Sequence, residues 1–467
     1  MSPSLKDRWQ RIAALRPARQ ALAAEVSERA QQIGDPDFVA RIVGGEVRRN
    51  EYGEHVAVRR WYAEPESITA KEEALRLLAP DAAAELADPD QWLFLDTETT
   101  GLAGGTGTYA FLVGVAWWDA GGLQVEQYFM RDFGEEHSLL VALGERLAER
   151  RVLVTFNGKT FDWPLLETRY RMTRAITAAA PRAHLDLLHP ARQLWRLRLP
   201  SVRLTEIEKY VLGWDRGPDL WSQMIPQLYF DYLRGGAAEP LADVFRHNQH
   251  DLRGLAALAG KMLSMLAAPE AVDGEPLDLF GLSRLLRRRG EAKRARQIYE
   301  RALAAGLPGE LDRAARRELA RLAKRGRDYV RANELWNEII GTELCVRSPM
   351  GQTHGSAPTD GNDANAALEA YEQLAIYYEH QAREPQRAAA LTRQALEAVG
   401  EALQAGNLTA AEHRKLRNRL EHRLLRLARR TDQNGRALFE AIGETQAEAR
   451  ESNQRCKRGR RGASAAR

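Results

Sequence analysis

The sequence predicts an α/β domain, a mixed sheet flanked by helices, followed by an all-α array of helix pairs. Three observations carry this. Apolar strand signals crowd between Gln91 and Phe129, separated by glycine-rich turns; helical and strand patterns then alternate to about residue 265; from Pro276 to Gly400 the periodicity is purely helical. A chain of 467 residues, 44% of them hydrophobic, has material for roughly two to four domains, and a small single-domain protein is excluded. The expected boundaries are an accessory N-terminal region at 1–88, the α/β domain at 89–267, the helical array at 275–448 and a basic disordered tail at 449–467.

Residues 1–33 show helical spacing with mixed charge, and 38–62 alternate in the manner of a strand around Glu54 to Arg60. His55 and the arginines near it suit either a phosphate or the exposed edge of a sheet, so this lead-in is assigned no chemistry. Strands follow at Trp92–Thr97, Thr108–Trp118 and Leu123–Phe129, close enough to pair as antiparallel hairpins. A helix at Glu135–Arg151, a buried strand at Val152–Phe156 and a helix from Phe161 to Met172 complete a βββαβα order, which suits a mixed sheet.

The first of these strands ends in two carboxylates, Asp96 and Glu98. Side chains alternate along a strand, so the two project to one face about 7 Å apart, with Thr97 on the other. That spacing holds divalent cations; two solvated acids at a strand end are the alternative. Asp162 lies where the strand ending at Phe156 runs into a helix, as a helix cap or as a further ligand. Asn157 begins the same junction and is also a natural turn former. His247 and Asp251, at i and i+4 within a helical stretch from Leu241, share one helix face.

In this order the three motifs resemble those of the DEDD-type 3′-5′ exonucleases: Asp96-Thr97-Glu98, then Asn157 to Asp162, then His247 to Asp251. The run from Asp96 through Gly101, Leu102 and Gly105 to Gly114 is close to the signature of the YprB-like branch, which joins a ribonuclease-H-like domain to tetratricopeptide-like repeats. The resemblance implies a ribonuclease-H-like fold over about residues 90–265 and a metal-dependent nuclease acting on DNA or RNA. It also implies that Asp96, Glu98, Asp162 and Asp251 hold two divalent cations, Mg²⁺ or Mn²⁺. Thr99, Thr100, Gly101 and Leu102 would lie against the terminal nucleotide, with Asn157 also on the substrate. In the superfamily's main branches the general base is a Tyr four residues before the last Asp or a His five before it. Here His247 stands four before Asp251, and His250 one before. His247 is the candidate base, since His250 projects about 100° away from Asp251 on a regular helix. A non-catalytic nucleic-acid-binding or interaction scaffold is the competing class, and the presence of all four acids favours the enzyme.

Asp186 is open between a supporting role and a structural one. Arg192, Arg196, Arg198 and Arg203 are interleaved with Trp195 and Trp221, a mixture that suits a single nucleic-acid strand. Both tryptophans, however, read first as core. In the C-terminal half, Ala295/Tyr299/Ala302, Ala332/Trp336/Ile339 and Ala388/Thr392/Ala395 repeat one small-large-small spacing, a tetratricopeptide-like pattern that offers a surface to a protein partner. Glu412 to Arg430 carries eight Lys or Arg against two Glu, either a solvated helix face or one that binds phosphate. The formal charge is only +4, but the last thirteen residues hold six basic groups and no acid, which points to nucleic acid. Two distant cysteines, Cys345 and Cys456, fit a reducing cytoplasm, and the absence of a long apolar run excludes a membrane span.

Overall fold

Strand β4 (Ala110–Asp119) is apolar almost throughout, and such a strand is stable only with both faces covered. It lies at the middle of a seven-stranded sheet ordered β1-β2-β5-β4-β3-β6-β7. The computed structural model describes residues 37–68, 70–82, 84, 86–101, 106–173, 180–346 and 362–430. After α1 (Phe38–Val43) come β1 (Glu46–Asn50), β2 (Gly53–Tyr62), α2 (Glu72–Leu78), β3 (Trp92–Thr99), β4 and β5 (Gly122–Phe129). Next are α3 (Glu136–Glu149), β6 (Val152–Thr155), α4 (Asp162–Thr173), β7 (Ala183–Asp186) and α5 (Leu188–Trp195). Then follow α6 (Leu204–Ile207), α7 (Ile225–Leu233) and the long α8 (Leu241–Ala267). Strands β3 to β5 form the expected antiparallel meander, while β6 and β7 join in parallel on the far side of β3.

The lead-in is not separate from the sheet. Strand β2 pairs antiparallel with β5, and β1 caps it as the outer edge. Consecutive residues of β5 show how both faces are closed. Glu126 is buried and takes the guanidiniums of Arg48, Arg59 and Arg146, the last from α3. Gln127 faces the opposite way and donates to Asn248 on α8. His55 is buried against the Ser138 hydroxyl at 2.8 Å, and burial lowers its pKa to about 4, so it is a neutral packing residue.

By contacts the chain divides into two units, the first ending at Asp273 and taking in Arg284–Arg289, the second covering Gly274–Ser283 and continuing from Gly290. Helix α9 (Pro276–Arg288) crosses this division. The second unit continues with α10 (Ala292–Ala304), α11 (Gly309–Arg325), α12 (Tyr329–Val346), α13 (Asn362–His380), α14 (Pro385–Gln404) and α15 (Ala410–Arg430). All nine residues of the small-large-small triplets are buried, so that spacing marks the packed faces of α10, α12 and α14. The basic α15 has partners. Arg419 pairs with Glu372, and Arg423 and Arg426 pair with Glu379, whose side chain is fully covered. The basic tail and Cys456 lie outside the described residues. No helix among the described residues is long and apolar enough to cross a membrane.

Candidate metal centre

Asp96 sits in the second half of β3, opposite Gly114 of β4. Its Oδ2 accepts from Nδ2 of Asn248 at 2.8 Å, and Asn248 is fixed in turn by Gln127, whose Nε2 donates to Oδ1 at 2.8 Å. Gln249 and then Tyr62 extend the chain of hydrogen bonds. Gly114 makes room for this arrangement, because a Cβ there would lie 2.0 Å from Asn248 Oδ1 and 2.8 Å from a Leu252 methyl. Gly114→Ala is therefore expected to cost about 1–3 kcal/mol through overpacking, read from urea unfolding, and to move Asn248 off Asp96. An unchanged unfolding midpoint would contradict the close approach.

Asp162 opens α4, where helix N-terminal amides favour a carboxylate, and Thr97 donates its hydroxyl to Oδ1 at 2.5 Å. The turn before it is set by backbone geometry. Asn157 adopts φ 70°, in the left-handed region, and its N–H and that of Lys159 donate to the carboxylate of Asp186. Asp186 also takes the Leu188 N–H, so it ties the Asp162 loop to the start of α5.

Helix α8 delivers His247 and Asp251. A ligand atom of each lies within 4.8 Å of the other and of a Glu98 oxygen. His247 Nδ1 is 2.9 Å from Asp219 Oδ2, and Nε2 is 3.4 Å from Asp251 Oδ2. A carboxylate accepts only, so the shorter contact with Asp219 favours the tautomer with a proton on Nδ1, while Nε2 faces Asp251. Asp251 gives its other oxygen to Arg216, a buried guanidinium that also binds Asp219 and, through two nitrogens, Glu208. Glu208 fits against Gly254, where a Cβ would stand 1.6 Å from its Oε1.

The acids crowd one another. Burial, then the charge of Asp251, then that of Glu98 and Asp162 push Asp96 well above the ordinary carboxylate range. Burial followed by Asp251 and Asp162 does the same to Glu98. Asp162 rises to about 6, mainly through burial, with Asp186 adding and the Thr97 bond opposing. Asp219 is held low despite its burial by the bonds from His247 and Arg216. Oxygen donors that repel one another in this way fit hard divalent cations, which would offset the repulsion. The sign follows from proton linkage: between about pH 4 and 6 the folded chain binds a proton at Asp162 that the unfolded chain has released, so folding weakens as pH rises. In chelator the melting temperature of this unit should therefore fall from pH 5 to pH 7.5, and Mn²⁺ should restore it at the higher pH. A melting temperature that ignores both pH and Mn²⁺ would count against a cation site.

The structure thus brings ligand atoms of Glu98, His247 and Asp251 within 4.8 Å of one another, with the charges of Asp96 and Asp162 felt at the same acids. The remaining predicted residues take other positions. Thr99 donates to the Gly101 carbonyl, and Thr100 closes the β3–β4 connection through Tyr109. Leu102 lies outside the described residues. Asn157 shapes the turn, and His250 faces Trp214 rather than the acids. Trp195 is core, as read from the sequence, but Trp221 is not: it is 76% exposed, next to Ser222, whose hydroxyl is 3.5 Å from His247 Nε2. Phe161, just before Asp162, is 53% exposed.

Sequence reasoning missed Asn248, Asp219, Arg216 and Glu208. Asn248 was within reach, one residue from His247 inside the third motif. Asp219 and Arg216 belong to an irregular loop with no periodicity to mark them.

The chain is 29% identical over 306 residues to the uncharacterized protein YprB of Bacillus subtilis (strain 168), covering 65% of this chain and 68% of that protein. Residues 93–263 match the RNase H superfamily, a span that runs from β3 into α8 and contains Asp96, Glu98, Asp162, His247 and Asp251.

Proposed function

We propose that the α/β unit is a metal-dependent nuclease, a 3′-5′ exonuclease in which Asp96, Glu98, Asp162 and Asp251 hold two divalent cations, Mg²⁺ or Mn²⁺. The observation that supports this reading is the approach of Glu98 and Asp251 to a histidine whose far nitrogen is already bound by Asp219, with Asp96 and Asp162 acting on the same acids through their charge. When bound, the cations supply charge stabilisation to the attacking and leaving oxygens of an in-line phosphodiester displacement. His247 takes the proton of the attacking water on Nε2, and Asp219 keeps the ring in that tautomer and steadies the imidazolium. Arg216 anchors Asp251 from behind, leaving its second oxygen for the site. Trp221, next to Ser222, and Phe161, next to Asp162, are exposed and offer rings on which bases can stack. The helical unit, read as tetratricopeptide-like, serves as the surface for a protein partner.

The test is cleavage of end-labelled single- and double-stranded DNA and RNA by purified protein with Mg²⁺ or Mn²⁺. Stepwise shortening from the 3′ end supports the proposal; internal cuts would replace the exonuclease assignment, and binding without cleavage would favour a scaffold.

A further inference from the structure

An arginine pocket in the same unit as the candidate centre plays no part in the chemistry just described. Helix α5 buries Leu188, Ala191, Leu194 and Trp195, which leaves Arg192 and Arg196 exposed one turn apart. The following loop brings Arg203 toward them, and the three arginines line a cavity of about 510 Å³ together with Leu199, Pro200, Ser201 and Val202. No carboxylate lines it. The neighbouring Arg198 is engaged by the Tyr210 carbonyl, and Arg169 and Arg216 are bound by acids. Among the described residues, Arg192, Arg196 and Arg203 have no such partner. Three uncompensated cations held near one another repel, and an anion removes that cost.

We propose that this pocket binds the phosphodiester backbone of the nucleic-acid strand at a distance from the bond being cut. This rests on the nuclease reading for its substrate, and it adds a second place where the strand is held. Arginine forks match phosphate oxygens in pairs. The pocket is also joined to the centre by covalent structure. Asp186 braces the loop that carries Asp162, and α5 starts two residues later. Arg192 and Arg196 follow at about 6 and 12 Å of helix rise from Leu188. At about 3.4 Å per stacked nucleotide, this rise along α5 matches a few nucleotides of one strand.

The experiment uses the full chain with Arg192→Gln, Arg196→Gln and Arg203→Gln combined. Anisotropy of a labelled single strand is followed against salt in chelator, which prevents cleavage. The triple variant should bind more weakly, and its log-log salt slope should fall by about 2, at about 0.7 per phosphate contact. Arg196→Gln alone should lower the slope by about 0.7, which guards against misfolding of the triple variant. Hydrolysis of a minimal phosphodiester, thymidine 5′-(p-nitrophenyl phosphate), should be unchanged, since it is too short to reach the pocket. Unchanged affinity and slope would overturn the proposal, as would an equal loss on the minimal ester. If the wild-type chain cleaves nothing, the nuclease reading fails, and the binding comparison still decides the pocket.

Discussion

Asp96→Ala is expected to lower phosphodiester cleavage by at least about 10²- to 10³-fold, the scale of losing one preorganised electrostatic contact in a transition state. Asp251→Ala should do the same. Both side chains sit at the centre of the carboxylate group, and neither fills a hydrophobic cavity. Their effects on stability should differ. Removing Asp96 relieves repulsion that burial and Asp251, Glu98 and Asp162 impose on it, so the variant in chelator should be at least as stable as the parent. Removing Asp251 leaves the buried Arg216 with Glu208 and Asp219 only. Its unit should become less stable. Thermal unfolding of the two variants in chelator, alongside cleavage rates, checks both halves; undiminished turnover in either variant would remove that residue from the site.

His247→Ala should reduce the rate by about 10²- to 10⁴-fold, the usual contribution of a positioned general base. Mn²⁺ binding should persist, because the four carboxylates remain. Asp219→Asn should give a smaller loss, since the imidazole stays in place while its tautomer is no longer imposed. His250→Ala should change little, given that its ring faces Trp214. Turnover numbers for the three variants at saturating Mn²⁺ decide the assignment. A full loss at position 250 with none at 247 would transfer the role to the neighbouring histidine.

The parts of this site that could be read in advance are those tied to a local period. Asp96 and Glu98 follow from strand alternation, and His247 and Asp251 from the helical i, i+4 spacing. The β3–β5 meander was legible because glycine-rich turns separate three strongly apolar runs. What was hidden depends on contacts between distant segments. The pairing of β2 with β5 joins residues about seventy positions apart, so 38–62 read as a lead-in although it completes the sheet. Asp219 and Arg216 reach α8 from an irregular loop whose sequence has no period. The freedom of Gly114 is used to admit Asn248, which no strand pattern reveals. Trp221 looked like core because tryptophan usually is, and only the fold shows it mostly exposed.

The most direct measurement is the rate of single-strand cleavage as Mn²⁺ is titrated into metal-stripped protein, with Asp96→Ala run beside it. The predicted result is no cleavage in chelator, activity that rises with Mn²⁺ in the parent chain, and none at any Mn²⁺ concentration in the variant. Cleavage that survives chelation, or equal activity in both chains, would contradict the assignment of these acids as a metal-dependent phosphodiesterase centre.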